Sequence, residues 1–164
     1  MAAGSTYTPI ATYTASGSSN VITFSSIPST YTDLVLVSQY QVSGDGYTDV
    51  RLNSDSGTNY SSTSLTNSGG SAVSSRYSSL SRFSEMYGYT GANNGMAIWN
   101  FMNYANSTTY KSALLRAWYG APDVTEAKAL LWRSTSAITT IALTRVTGNW
   151  SSGSTFTLYG IAAA

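Results

Sequence analysis

Tyr110-Lys-Ser-Ala-Leu-Leu-Arg-Ala-Trp-Tyr-Gly-Ala-Pro-Asp-Val-Thr-Glu-Ala-Lys-Ala-Leu-Leu-Trp-Arg133 admits two readings, and they lead to different folds. Read as helix, Leu114, Leu115 and Trp118 fall at helical spacing. Asp123-Val-Thr-Glu126 then resembles a capping box ahead of Ala-Lys-Ala-Leu-Leu-Trp. Read as sheet, Tyr110–Tyr119 and Ala127–Arg133 are two strands joined across Gly120-Ala-Pro-Asp123. The segments on either side favour the second reading, because their turns recur at the spacing of an all-β domain.

Outward from that stretch the chain reads as strands and turns. Asp33-Leu-Val-Leu-Val-Ser-Gln-Tyr-Gln-Val42 is dense in β-branched and aromatic residues, and its first part is apolar on both faces, as in a central strand. Ser43-Gly-Asp-Gly46 is a turn cluster, and Asp49-Val-Arg-Leu-Asn53 alternates with Val50 and Leu52 to one side. A hairpin from Leu34 to Asn53 is the expected result. Ser54 to Ser79 is rich in Ser, Thr, Asn and Gly, and reads as a long surface loop with one short strand near Tyr60–Thr66. Val21–Phe24, Arg82–Tyr87, Met96–Tyr104, Ile138–Val146 and Ser154–Ile161 complete the strands. The expected architecture is all-β: an antiparallel β-sandwich, jelly-roll-like, of about eight to ten strands. One domain over residues 9–164 follows, with residues 1–8 as an N-terminal arm.

Composition narrows the functional classes. Charged residues make up only 9% of the 164 and the net charge is +1. Neither nucleic acid nor an anionic membrane has an electrostatic reason to bind. The first residues carry no basic and apolar segments of the secretory kind, and no apolar run is long enough to span a bilayer as a helix. The chain has no Cys and no His, so thiol or imidazole nucleophile systems cannot be built and zinc loses its preferred ligands. No cofactor and no metal are expected.

Carboxylate chemistry is what remains. Asp33 and Asp49 open adjacent expected strands and could face one cleft as a glycosidase pair, but turn and strand-end roles are commoner for Asp. Asn53-Ser-Asp-Ser-Gly-Thr-Asn59 spaces oxygen ligands like a Ca²⁺ loop yet lacks the closing acidic residue, which leaves a plain turn. No phosphate-binding Gly-rich loop is present. The expectation is a protein that is not an enzyme.

Aromatic residues are the richer resource. Trp99, Phe101, Trp132 and Phe156 sit in apolar runs and belong in a core. Tyr87, Tyr89, Trp118, Tyr119 and Trp150 sit beside turns, and Tyr7 sits in the arm. These six are the interface candidates, because large rings bury area at low entropic cost.

A family resemblance is carried by four blocks, Phe24 to Val37, Arg51 to Ser61, Trp132 to Thr139 and Gly153 to Ile161. They are similar to blocks in small virion structural proteins of tailed bacteriophages, cyanophages among them. The resemblance spans about Ile10 to Ile161, weakest between Thr63 and Gly95, and brings no catalytic motif. It implies a protein made in the host cytoplasm and carried in the virion. The implied partners are the major capsid protein or other virion proteins, with a homo-oligomer, a trimer first, as the assembly. Capsid decoration, or cementing, is the role it favours. A tail- or fibre-associated protein contacting host-surface glycans is the alternative.

Overall fold

The computed structural model describes residues 6–91, 93–120 and 124–162. Among them the chain is all-β: twelve antiparallel strands in two sheets, forming one sandwich-like domain. In chain order the strands are β1 (Tyr7–Thr14), β2 (Val21–Phe24), β3 (Asp33–Tyr40), β4 (Gly46–Leu52), β5 (Tyr60–Ser68) and β6 (Val73–Leu80). There follow β7 (Phe83–Gly88), β8 (Asn93–Met102), β9 (Lys111–Gly120), β10 (Val124–Trp132), β11 (Ile141–Arg145) and β12 (Thr155–Ile161). The large sheet has eight strands in the order β1-β12-β3-β8-β9-β10-β5-β6, and the small sheet has four, β2-β11-β4-β7. The strand count exceeds the eight to ten expected.

The opening stretch is sheet. In β9 the buried and open positions alternate strictly, with Ala113, Leu115 and Ala117 inside and Leu114, Arg116 and Trp118 outside. Leu114 and Leu115, neighbours at helical spacing, thus part to opposite faces. β10 pairs with β9 along its whole length, from Val124–Tyr119 to Trp132–Lys111. The expected joint at Gly120-Ala-Pro-Asp123 falls largely outside the described residues.

The hairpin expected from Leu34 to Asn53 does not form. β3 pairs with β12 and β8 in the large sheet, whereas β4 pairs with β11 and β7 in the small one. Ser43–Gly46 is therefore a corner between sheets. The cause lies in the β11–β12 connection, where Gly148 takes a φ of +65° and a Cβ on it would lie 2.6 Å from the Gly44 nitrogen. Two backbones cross there with no room for a side chain. Buried Arg145 fixes the corner, donating to the Gly44 and Gly46 carbonyls at 2.6 and 2.7 Å with its guanidinium over the Trp150 ring.

The short strand expected near Tyr60–Thr66 is present as β5, but the loop expected after it contains a second strand, β6, and the two form a hairpin. β5 matches β10 residue by residue from Tyr60–Trp132 to Ser68–Val124, and β6 is the edge strand of the large sheet. Tyr7 and Thr8, assigned above to a loose arm, are the first residues of β1 and pair with Ile161 and Gly160. Residues 1–5 of that arm lie outside the described residues. β1 covers the open side of β12, so the last strand of the chain is interior to its sheet.

The core fills the space between the facing sheets. Trp99, Phe101, Trp132 and Phe156 are all buried there, as expected, with Tyr60, Phe83 and Trp150. Trp99 and Phe101 stack at 5.8 Å, and Tyr60 meets Phe83 edge-on at 4.9 Å. Each such side chain contributes about 1.5–3 kcal/mol on burial.

Candidate functional site

Four strands cannot cover eight. β7, the outermost strand of the small sheet, approaches β8, β9 and β5. At their Trp132 and Tyr60 ends β10 and β5 still reach the core, but toward Glu126 and Thr66 their inner faces, with that of β6, change character. β3, β8 and β9 present Leu36, Trp99 and Leu115 inward, but β10 presents Glu126 and Lys128, and β5 presents Ser62, Ser64 and Thr66. A cleft of about 620 Å³ opens between β7 and this overhang, a volume typical of small-molecule sites.

A β-bulge in β7 shapes the wall. Thr48 faces Glu85 and Gly46 faces Gly88, so β7 carries an extra residue, and Met86 sits there with a φ of +54°. For a non-glycine residue that conformation is strained, and bulges of this kind re-aim neighbouring side chains. Glu85 and Met86 are consecutive and both buried. The Met86 carbonyl accepts from the Thr48 hydroxyl at 3.3 Å and its sulfur from the Trp99 indole N–H at 3.2 Å, which holds the bulge in place.

Glu85 thereby meets the floor. Lys128 donates to Glu85 Oε2 and lies 3.1 Å from Glu126 Oε2, with all three side chains largely buried. Burial pushes the Glu85 carboxyl up to about 7 against the pull of Lys128. On Lys128 burial works against the charge, but the two carboxylates outweigh it and raise the ammonium above its ordinary value. The neighbouring Tyr119 hydroxyl is driven far above the usual phenol range, by burial first and then by the Glu126 charge. Glu126 Oε1 is buried and makes no hydrogen bond of ordinary geometry among the described residues, though the Tyr119 hydroxyl interacts with the Glu126 carboxylate. The floor thus offers fixed, desolvated acceptors.

The rim is tyrosine. Tyr47 and Tyr87 meet edge-on at 4.7 Å, and Tyr87 and Tyr89 lie 4.6 Å apart. The Tyr87 carbonyl accepts from the Tyr40 hydroxyl at 3.1 Å, and the Asp45 carboxylate takes the Thr90 N–H at 2.5 Å, tying the rim turn to the inter-sheet corner. On the opposite rim stands Tyr77 of β6, 57% exposed.

The six aromatic candidates do not converge. Tyr87 and Tyr89 line the cleft, and Tyr119 lies at its inner end, buried. Trp118, its neighbour in sequence, points to the outer face and is 38% exposed. Tyr7 stands on that same outer face at the β1 edge, 6.1 Å from Tyr159. Trp150 is a correction: it has no exposure at all, because the corner carries it inward against Tyr40 and Phe156. Asp33 and Asp49 are not brought together either. They sit on different sheets, Asp33 accepting from the Asn103 N–H at 2.6 Å and Asp49 paired with Arg82 at 2.6 Å. In the Asn53–Asn59 turn, Asp55 engages Gly57, Asn59 and the Trp132 indole with its two oxygens.

Sequence reasoning missed Glu85, Glu126, Lys128, Tyr47 and Tyr77. For the β10 pair a signal existed: Glu126-Ala-Lys128 puts two charges on the face that also carries Val124, Leu130 and Trp132. Nothing local announces Glu85, whose direction depends on the bulge.

The outer face of the large sheet is a second candidate surface. It carries Val37, Ile98, Met96, Leu114 and Trp118 across adjacent strands, and Leu65 further out. Its strand residues include only Asp33, Arg116 and Arg76 as charges among those described. No protein-family model matches this chain, and a search of curated proteins finds none similar to it.

Proposed function

We propose that this chain is a structural protein of a tailed-bacteriophage virion, a decoration subunit that binds the head shell through the outer face of its large sheet. The observation that carries the reading is that face: broad and apolar at its middle, with Met96, Leu114 and Trp118 exposed on adjacent strands. Exposed apolar area of that kind marks a protein contact. The sequence resemblance supplies the particle, and the low charge of the chain suits close packing against neighbours. Copies related by a rotation axis also have opposite charges to match, Asp33 on β3 and Arg116 on β9.

The test is to mix the purified protein with capsids that lack it and image them by electron microscopy. Density ordered on the capsid lattice is expected, and a Leu114→Ser/Trp118→Ser variant should leave the shell bare. Bare capsids with the unaltered protein would overturn the assignment.

A second reading, a tail- or fibre-associated protein that contacts host-surface glycans, is favoured by a different observation, the tyrosine-rimmed cleft. Density at the tail, or on host cells, is the result that would move the protein to that role.

A further inference from the structure

We propose that the cleft between β7 and the overhanging end of the large sheet is a saccharide-binding site, and that its ligand is a neutral, hydroxyl-rich glycan. The proposal rests on the recognition reading and gives it a site and a ligand class. It does not depend on where in a particle the chain is placed.

Three properties of the cleft point to sugar. First, its rim offers flat apolar surfaces in fixed orientation. Tyr47, Tyr87 and Tyr89 brace one another at 4.6–4.7 Å, so their exposed edges and faces are held without a ligand. A pyranose ring has one face of C–H groups that packs on such rings, and rigid tyrosines lose little entropy in receiving it.

Second, the floor is built for hydroxyls rather than for an apolar guest. Ser62, Thr66 and Ser84 line it, and their hydroxyls make no hydrogen bond among the described residues. Glu126 adds the buried Oε1 acceptor, which makes no hydrogen bond of ordinary geometry among those residues. A ligand hydroxyl that donates there completes the hydrogen bonding of the carboxylate on binding. The Lys128 bridge holds both carboxylates in place beforehand, so the acceptors need no reorganisation.

Third, the charge excludes the competing ligands. Lys128 is the only cationic side chain that lines the cleft among the described residues, and two carboxylates already claim it. An acidic polysaccharide, a nucleic acid strand or a phosphate group would meet net negative or neutral surroundings with no free cation among those residues. A neutral glycan meets no such penalty.

The experiment uses the full chain and an array of neutral glycans: glucose, galactose and mannose oligomers, and N-acetylhexosamine oligomers. Polygalacturonate and sialylated glycans serve as acidic probes. Hits are followed by isothermal titration calorimetry. At least one neutral class should bind, with Tyr47→Ala and Tyr87→Ala each weakening it tenfold or more. Tyr87→Phe, which keeps the ring, should stay within threefold, as should Trp118→Ala on the far face. Ser64→Tyr, which fills the cleft from the exposed β5–β6 hairpin, should abolish binding at an unchanged melting temperature. Absence of any neutral hit would overturn the proposal, and so would hits that survive Ser64→Tyr or a preference for the acidic probes. If the array is empty while the protein still coats host cells, recognition stands and only the cleft assignment falls. If neither binds, both fall.

Discussion

The inner face of the large sheet is two surfaces in one. Under the small sheet, β3, β8 and β9 carry Leu34, Leu36, Trp99, Phe101 and Leu115, all essentially without exposure. Along the edge of β7 and past it, the same face carries Glu126, Lys128, Ser62, Ser64 and Thr66, while Tyr60, Leu130 and Trp132 at the other ends of β5 and β10 stay in the core. Backbone pairing is unbroken across the boundary, since β9, β10 and β5 match over nine residues each. The difference is the opposing layer. Where a second sheet is present, alternation stores apolar bulk; where it is absent, the same alternation displays hydrogen-bonding groups. Secondary structure and function therefore separate cleanly: the ladder sets position, and coverage sets chemistry.

The sharpest way to break this contrast is in the covered half. Trp99 is fully buried, stacked on Phe101 and bonded to the Met86 sulfur. Trp99→Ala should cost about 3–5 kcal/mol in urea unfolding. A loss below about 1.5 kcal/mol would mean that the two sheets are not packed as one core.

Next in size is Lys128→Met, at the boundary itself. Removing the cation leaves Glu85 and Glu126 buried together, a change of the kind that costs about 3–5 kcal/mol. Protonation relieves that repulsion. Thermal unfolding should therefore show the deficit largest near pH 8 and smaller near pH 5. A deficit that ignores pH would show that the lysine acts only by packing.

These two cases also mark what was legible beforehand. All-β architecture and the core role of Trp99, Phe101, Trp132 and Phe156 could be read directly, because strand alternation and apolar runs are local signals. The Leu34–Asn53 segment could not be resolved, since Ser43-Gly-Asp-Gly46 suits a hairpin and a corner equally. What decides is the crossing with Gly148, distant in sequence. β5 was expected near Tyr60–Thr66, but β6 was hidden, because an edge strand with no covering layer needs no apolar positions and a Ser-rich strand looks like a loop. Tyr87 and Tyr89, picked out by their place near turns, line the cleft, while Tyr119 and Trp118 were separated by a fact visible in the alternation of β9. Trp150 failed for the same reason as the hairpin: its surroundings are made by the corner.

A smaller effect is expected from the proton on Glu85. Its folded pKa, about 7, lies above the ordinary 4.5 because burial disfavours the charge. The native state thus binds the proton more tightly than the unfolded chain does. That contribution to stability is complete below about pH 4.5 and is lost as pH rises through about 7, a change on the order of 3 kcal/mol. Glu85→Gln should flatten this part of the stability–pH curve while keeping a hydrogen-bonding group beside Lys128. An unchanged slope would assign the titration to another group.

The smallest effect belongs to the uncovered half and completes the contrast. Tyr77 has a ring as large as those in the core, on the same inner face, but it stands on edge strand β6 and is 57% exposed. With no layer above it, truncation opens no cavity and strands no buried polar group. Tyr77→Ala should therefore change unfolding free energy by less than about 0.5 kcal/mol. A cost above about 1.5 kcal/mol would show that the overhang is closed in solution, which would make the cleft part of the core. A near-zero cost in stability combined with weaker glycan binding is the outcome that separates display from packing, since only a ring kept for contact with a ligand is dispensable to the fold and not to binding.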